Sequence, residues 1–303
     1  MVDLSLKIKT TTFKNPIMTA SGTFGYGDEC KDFFDISILG AIITKSISLL
    51  PRTGNKPPRI YEVNSGMLNS IGLANVGVEK FITDKLPSIS KYSTNIIVNV
   101  VGNTIEEYEK VIERLDDYES ICGYEVNISC PNVKEGGLQF GTSLKMTEQV
   151  VKSVRKKTSK ILIIKLTPNV TKISDFALAA EYEGAEAVSL VNTFVGMAVD
   201  HKKRRPYLST ITGGFSGPAI KPMALAKIYE VYKVVSIPII GLGGIMSAED
   251  VIEFFLVGAS AVEIGTANFI YPDTCEKIIN GLYRYFEVNK INTLKDIIGQ
   301  LQI

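Results

Sequence analysis

The chain has 303 residues, 45% of them hydrophobic and 21% charged, enough to bury a large core. Its 33 Lys and Arg against 32 Asp and Glu leave a formal charge of +1, which excludes the strong basic field expected of a nucleic-acid binder. The four cysteines, Cys30, Cys122, Cys130 and Cys275, contain no Cys-x-x-Cys pair, which excludes the usual zinc and iron–sulfur spacings, and no apolar run approaches the roughly 18 residues of a membrane span. Asp3 follows Met1 within two residues and no apolar leader region appears, so a cytoplasmic chain with free thiols is expected, with no membrane partner.

In chain order, short β-branched apolar runs ending in small or polar residues alternate with helical patterns. The first runs are residues 15–21 (NPIMTAS) and 41–47 (AIITKSI). The turn after the first run, Ser21-Gly22-Thr23-Phe24-Gly25, lacks dinucleotide-binding spacing. Residues 52–77 show no helical period; they read as an insertion of extended pieces with turns at Asn64-Ser65-Gly66 and near Gly72. The run 95–101 (NIIVNVV) precedes a helix over 104–115 with Glu106, Glu107 and Glu109 near its start. Four further runs are 123–129 (GYEVNIS), 161–167 (ILIIKLT), 187–193 (AVSLVNT) and 238–243 (PIIGLG). Ser247 and Asp250 resemble a capping box before another helix, and 261–267 (AVEIGTA) is the last run. The basic runs Arg155-Lys156-Lys157 and Lys202 to Arg205 read as solvated helix end or loop.

Eight near-continuous apolar strands alternating with helices predict parallel strands covered on both faces, hence an α/β fold: a single (β/α)8 TIM barrel over 1–303, with an inserted substrate-loop or hairpin region after strand 2. An open doubly wound sheet is the alternative. A barrel enzyme builds its site from the C-terminal ends of its strands. Here those ends carry Ala20, Ser21 and Gly22; Lys45 and Ser46; Asn99; Asn127 and Cys130; Lys165; Asn192 and Thr193; Gly243 and Gly244; Gly265 and Thr266.

Two lysines and three asparagines among the strand ends suit a polar, planar, anionic ligand, because unpaired polar groups are costly in a core. Gly-rich segments at 213–222, 239–245 and 263–269 suggest a phosphate site built from backbone N–H groups, with simple turns as the plainer alternative. The lone histidine, His201, begins an exposed-looking basic run, so acid–base chemistry falls to Cys, Lys, Ser, Asp or Glu.

Ten segments in order, ASGTFGYG, TKS, PRTGNKPPR, GMLNSIGL, EVNISCPNVKEGG, KLTPNV, VNTFVGMAVD, GGFSGPAIKP, IIGLGGI and GASAVEIGTANF, resemble the dihydroorotate dehydrogenase family from about residue 15 to 269. The cysteine in NISCPN is similar to class 1, and SGTFGYG, NVKEGG and VNTFVGMAVD are similar to subclass 1B. The resemblance implies oxidation of dihydroorotate to orotate in pyrimidine biosynthesis. Hydride would pass from C6 to N5 of FMN, and Cys130 would take the C5 proton as general base. It implies FMN phosphate at Gly217, Gly243, Gly244, Gly265 and Thr266, with backbone approach at Ala20, Ser21 and Gly22. Lys45, Ser46, Asn99, Asn127, Lys165 and Val191 would line the flavin, with Lys165 near N1.

Substrate would meet Lys45, Asn69, Ser70, Ile71, Gly72, Leu73, Asn127, Asn192 and Thr193, with Asn132 a further candidate and the segment from Asn132 to Gly141 a lid. Subclass 1B resemblance further implies a homodimer core and a partner subunit with FAD and a [2Fe–2S] cluster, in a heterotetramer that passes electrons to NAD+. A fumarate-reducing class 1A-like homodimer, a Schiff-base lyase using Lys45 or Lys165, and a non-catalytic phosphate-ligand barrel remain alternatives. Cys30, Cys122 and Cys275 read as structural thiols.

Overall fold

The computed structural model describes residues 2–129 and 140–303. All eight apolar runs form strands: β1 (Ile17–Thr19), β2 (Ala41–Ile43), β3 (Asn95–Val100), β4 (Ile121–Asn127), β5 (Ile161–Lys165), β6 (Ala187–Leu190), β7 (Ile239–Leu242) and β8 (Ala261–Ile264). They pair in chain order, every neighbour parallel, and β8 returns to β1 to close the barrel. Every residue of β1, β2 and β5–β8 is buried, which explains why these strands read as continuous apolar runs rather than alternating ones.

The predicted helix starts are borne out by their caps. Thr104 accepts from the Glu107 N–H ahead of the helix Ile105–Leu115. Ser247 and Asp250 exchange both bonds of a capping box before the helix Ala248–Leu256. No helix among the described residues is long and apolar enough to cross a membrane.

Two additions to the barrel carry weaker sequence signals. A hairpin, Leu6–Ile8 with Thr11–Phe13, places Ile8 and Phe13 in one apolar cluster with Met18, Ala41, Ile97, Ile161, Ala187 and Ala261. Most of those partners stand at or near strand starts, so the hairpin plugs the barrel's N-terminal end.

At the other end, the insertion after β2 forms the predicted hairpin, Ile60–Val63 and Gly66–Asn69, turning at Asn64-Ser65. Two strands from the β6–β7 connection, Phe194–Met197 and Thr212–Ser216, extend it into a four-stranded antiparallel sheet. This corrects one expectation: Gly213 and Gly214 are not a phosphate turn but lie within a strand. Their small size is needed because a Cβ at Gly214 would stand 2.1 Å from Thr193 Oγ1, and one at Gly213 would stand 2.7 Å from the Asn69 carbonyl oxygen.

Candidate active site

A cavity of about 450 Å³ opens at the C-terminal ends of the barrel strands, under the antiparallel sheet. Its wall gathers Ser21, Lys45 and Ser46 from beyond β1 and β2, Asn69 to Leu73 from the insertion, and Asn127 and Lys165 from the ends of β4 and β5. Val191, Asn192 and Thr193 follow β6, while Gly217, Gly243, Gly244, Gly265 and Thr266 close the far side. Among the described residues, every site residue read from the sequence lines this cavity except Asn99, which is fully buried behind the wall and donates to Glu125. Cys130 and Asn132 lie outside the described residues, as does most of the segment expected to form a lid.

The cavity floor holds an ionic cluster inside the barrel. Lys165 Nζ donates to Glu263 Oε2 at 2.7 Å and to both oxygens of Glu125 at 3.2 Å. Ser189 Oγ donates to Glu125 Oε1 at 2.7 Å, and Asn99 Nδ2 donates to Oε2. Glu125, Ser189 and Glu263 come from the alternate strands β4, β6 and β8, as the layers of a barrel interior do. Burial alone would favour the neutral form of each ionisable member. Around Glu125 the Lys165 charge and the donated hydrogen bonds outweigh burial and hold its carboxyl below the ordinary range. Burial and the neighbouring Glu125 charge push Glu263 well above it. Burial lowers Lys165, but the two carboxyl groups outweigh that and raise it. Lys165 is therefore held protonated, the wrong state for a Schiff-base nucleophile.

Above the floor the asparagines are fixed by one another. Ser129 donates through both N–H (3.2 Å) and Oγ (2.6 Å) to Asn127 Oδ1, and Asn192 Nδ2 donates to Ser129 Oγ. The Thr193 N–H donates to Asn192 Oδ1 at 2.8 Å. With its carbonyl oxygen engaged, Asn127 presents its amide nitrogen as a donor, with no partner among the described residues. The loop over the cavity is tied down by Asn55, whose side chain donates to the Ser70 carbonyl at 2.9 Å and whose N–H donates to that of Ile71 at 3.1 Å. Lys45 is half-buried on the wall and has no carboxylate partner among the described residues.

On the Gly-rich side, Gly244 has φ +79, and a Cβ there would meet the Lys221 backbone nitrogen at 2.7 Å. Only glycine lets this turn pack against the start of the helix Lys221–Tyr232, whose N-terminus is an electropositive end. Elsewhere the cysteines behave as inert thiols: burial pushes Cys122 up to about 12 and raises Cys30 and Cys275 as well.

The family profile described as Dihydroorotate dehydrogenase matches residues 3–286. The chain belongs to the dihydroorotate dehydrogenase family. Among its relatives, the protein from Geotalea daltonii named "Dihydroorotate dehydrogenase B (NAD(+)), catalytic subunit" is 53% identical over 301 residues, covering 99% of each chain. One of the same name from Bacteroides thetaiotaomicron is 52% identical over 303 residues, covering 100% of each. The subclass 1B resemblance is thus borne out. A crystal structure of DHODH from Eimeria tenella in complex with ferulenol has the same fold, with a TM-score of 0.80 at 22% identity, covering 98% of this chain and 88% of that one.

Within this dihydroorotate dehydrogenase, sequence reasoning missed Glu125 and Glu263 on the floor, Ser129 between the asparagines, and Asn169, which donates to the Thr193 carbonyl and accepts from the Val195 N–H. A signal for the glutamates was present. A lone Glu inside an otherwise apolar strand, in GYEVNIS and AVEIGTA, is tolerable only if a cation meets it, and ILIIKLT supplies one.

Proposed function

We propose that this chain is the catalytic subunit that oxidises dihydroorotate to orotate in pyrimidine biosynthesis, as a single FMN-binding barrel. Electrons leave through a partner subunit carrying FAD and a [2Fe–2S] cluster to NAD+, in a heterotetramer built on a homodimer of this chain. The cytoplasm, where thiols stay reduced, suits its free cysteines. The observation that carries the reading is Lys45, a half-buried cation in the cavity wall with no carboxylate partner among the described residues. A site with such a lysine is completed by an anionic ligand, and dihydroorotate carries a carboxylate.

The residues present also fit FMN. Buried Glu263 Oε1 and Ser70 Oγ have no hydrogen-bond partner among the described residues, and both residues line the cavity. A Cβ at Gly22 would project into open space with nothing within 4 Å. The volume of about 450 Å³ lies in the ordinary range for cofactor and small-molecule sites. Gly217, Gly243, Gly244, Gly265 and Thr266 hold the phosphate, near the N-terminus of the helix Lys221–Tyr232. Ala20, Ser21 and Gly22 approach the ring through backbone, and Ser46 and Val191 line it. FMN, when bound, supplies the acceptor for the hydride leaving C6.

The chain's own residues bind, orient and deprotonate. Lys45 pairs with the substrate carboxylate. Asn127, Asn192 and Thr193, with the loop Asn69 to Leu73, read the amide edges of the ring; Asn127 is set by Ser129 to donate. Cys130 takes the C5 proton, and Asn132 is a further substrate contact. Lys165 places positive charge where negative charge grows on the reduced cofactor. The names of the relatives favour NAD+ over fumarate as the final acceptor.

The test is the visible spectrum of the purified chain before and after anaerobic dihydroorotate. A flavin spectrum that bleaches is expected; a colourless protein that FMN cannot reconstitute defeats the reading. Lys45→Gln is expected to raise the dissociation constant of orotate about ten- to hundredfold, the worth of a charge-assisted hydrogen bond of roughly 1.5–3 kcal/mol. Titration of the flavin spectrum with orotate checks it, and unchanged affinity removes Lys45 from the substrate site.

A further inference from the structure

The two glutamates that meet Lys165 are not equivalent. Glu125 accepts from Asn99, from Ser189 at 2.7 Å and from Lys165 at 3.2 Å on each oxygen, so both its oxygens are satisfied by donors. Among the described residues Glu263 accepts from Lys165 at Oε2 alone, and its Oε1 is buried without a hydrogen-bond partner. The two carboxyl groups meet the same Lys165 ammonium, Glu263 at 2.7 Å and Glu125 at 3.2 Å. Both side chains are 0% exposed and that of Lys165 is 4% exposed, so water does not screen the cluster. Two ionised carboxylates beside one ammonium would leave a net buried negative charge, which is strongly disfavoured. The group surrounded by donors is the one that ionises.

We propose that Glu125 and Glu263 are an unequal pair of positioning residues for Lys165: Glu125 a carboxylate that carries the counter-charge, and Glu263 a carboxylic acid on the cavity side. The triad is then neutral overall. Lys165 and Glu263 line the cavity while Glu125 does not, so the ammonium and the acid face the ligand and the negative charge stands behind them. The opposite displacements of the two carboxyl groups, Glu263 upward through burial and Glu125 downward through its partners, agree with this division. The inference rests on the FMN reading, because its consequence is electrostatic tuning of the bound flavin.

Two isosteric variants separate the roles. In Glu125→Gln the counter-charge behind Lys165 is lost, which leaves Lys165 uncompensated or draws the negative charge forward onto Glu263, and either way the reduced-to-oxidised ratio of bound FMN at fixed potential is expected to change at least tenfold, about 30 mV for a two-electron couple. In Glu263→Gln a neutral group replaces a neutral group, and a change under threefold is expected. Equal shifts in the two variants, or more than threefold in Glu263→Gln, overturn the assignment. A second measurement does not depend on flavin or on the folding of Glu125→Gln. The infrared spectrum of the wild-type chain at pH 7 is expected to show a buried carboxylic-acid C=O band that Glu263→Gln removes. Its absence in the wild type, or its persistence in Glu263→Gln, overturns the proposal. A chain that takes up no FMN but shows the band defeats the cofactor reading and leaves the proton on Glu263.

Discussion

Cys130→Ala is expected to slow reduction of bound FMN by dihydroorotate about 10²- to 10⁴-fold near neutral pH, the usual range for a positioned general base, while FMN affinity stays unchanged. The one histidine, His201, is exposed in a turn and does not line the cavity, and the cavity lysine on the floor is held protonated between carboxyl groups. Ser129, the last described residue before Cys130, is buried at the cavity and bonded to Asn127 and Asn192. A thiol is an effective base only as thiolate, and its ordinary pKa is about 8.5. Wild-type kcat/KM is therefore expected to rise with pH up to the thiol pKa, and the alanine variant is expected to lose that limb. Stopped-flow reduction across pH checks both. An alanine variant reduced at the wild-type rate removes Cys130 from the chemistry.

Lys165→Met is expected to cost about 3–5 kcal/mol of stability at neutral pH, because it leaves the Glu125 carboxylate buried without its cation. Methionine is unbranched and only one heavy atom shorter, so it keeps most of the apolar stem and the loss is mainly one of charge rather than packing. The sign with pH follows from the direction of each shift. In the wild type Glu125 is held below its ordinary value of 4.5, so its contribution is present above that value and lost as pH falls through the folded-state pKa. In the variant burial acts unopposed by Lys165 and raises the folded-state pKa, so the penalty grows as pH rises above 4.5. The gap between wild type and variant in urea denaturation is therefore expected to be wide at pH 7 and to narrow toward about pH 4.5. A gap that is constant with pH, or absent, contradicts the ion-pair account. Glu125→Gln/Lys165→Met, which removes anion and cation together, is expected to recover most of the loss.

The barrel was legible because its signals are local. Each of the eight strand runs declares itself within a handful of residues, and helix starts such as Thr104 and the Ser247–Asp250 box are read within one turn. Listing what stands at the ends of parallel strands then located the cavity wall, since a closed barrel brings all those ends to one rim. Asn99 stands behind that rim, in register with Glu125, to which its amide nitrogen donates, while its Oδ1 has no partner among the described residues. Strand-end reading failed at Gly213 and Gly214. There glycine marks a crossing of strands, and composition alone does not separate that from a turn.

By itself, the sequence determined the alternation of strands and helices, the polar character of the barrel mouth and the family to which the chain belongs. These depend on periodicity and on motifs a few residues long. Tertiary structure decided the rest. Lys165 meets Glu263 across 98 positions of chain and Glu125 across 40, and Asn192 meets Ser129 across 63. The sheet over the cavity joins Asn69 to Gly214. Which carboxyl group keeps a proton depends on how many donors surround each one and on how completely water is excluded. Neither quantity exists until the barrel closes.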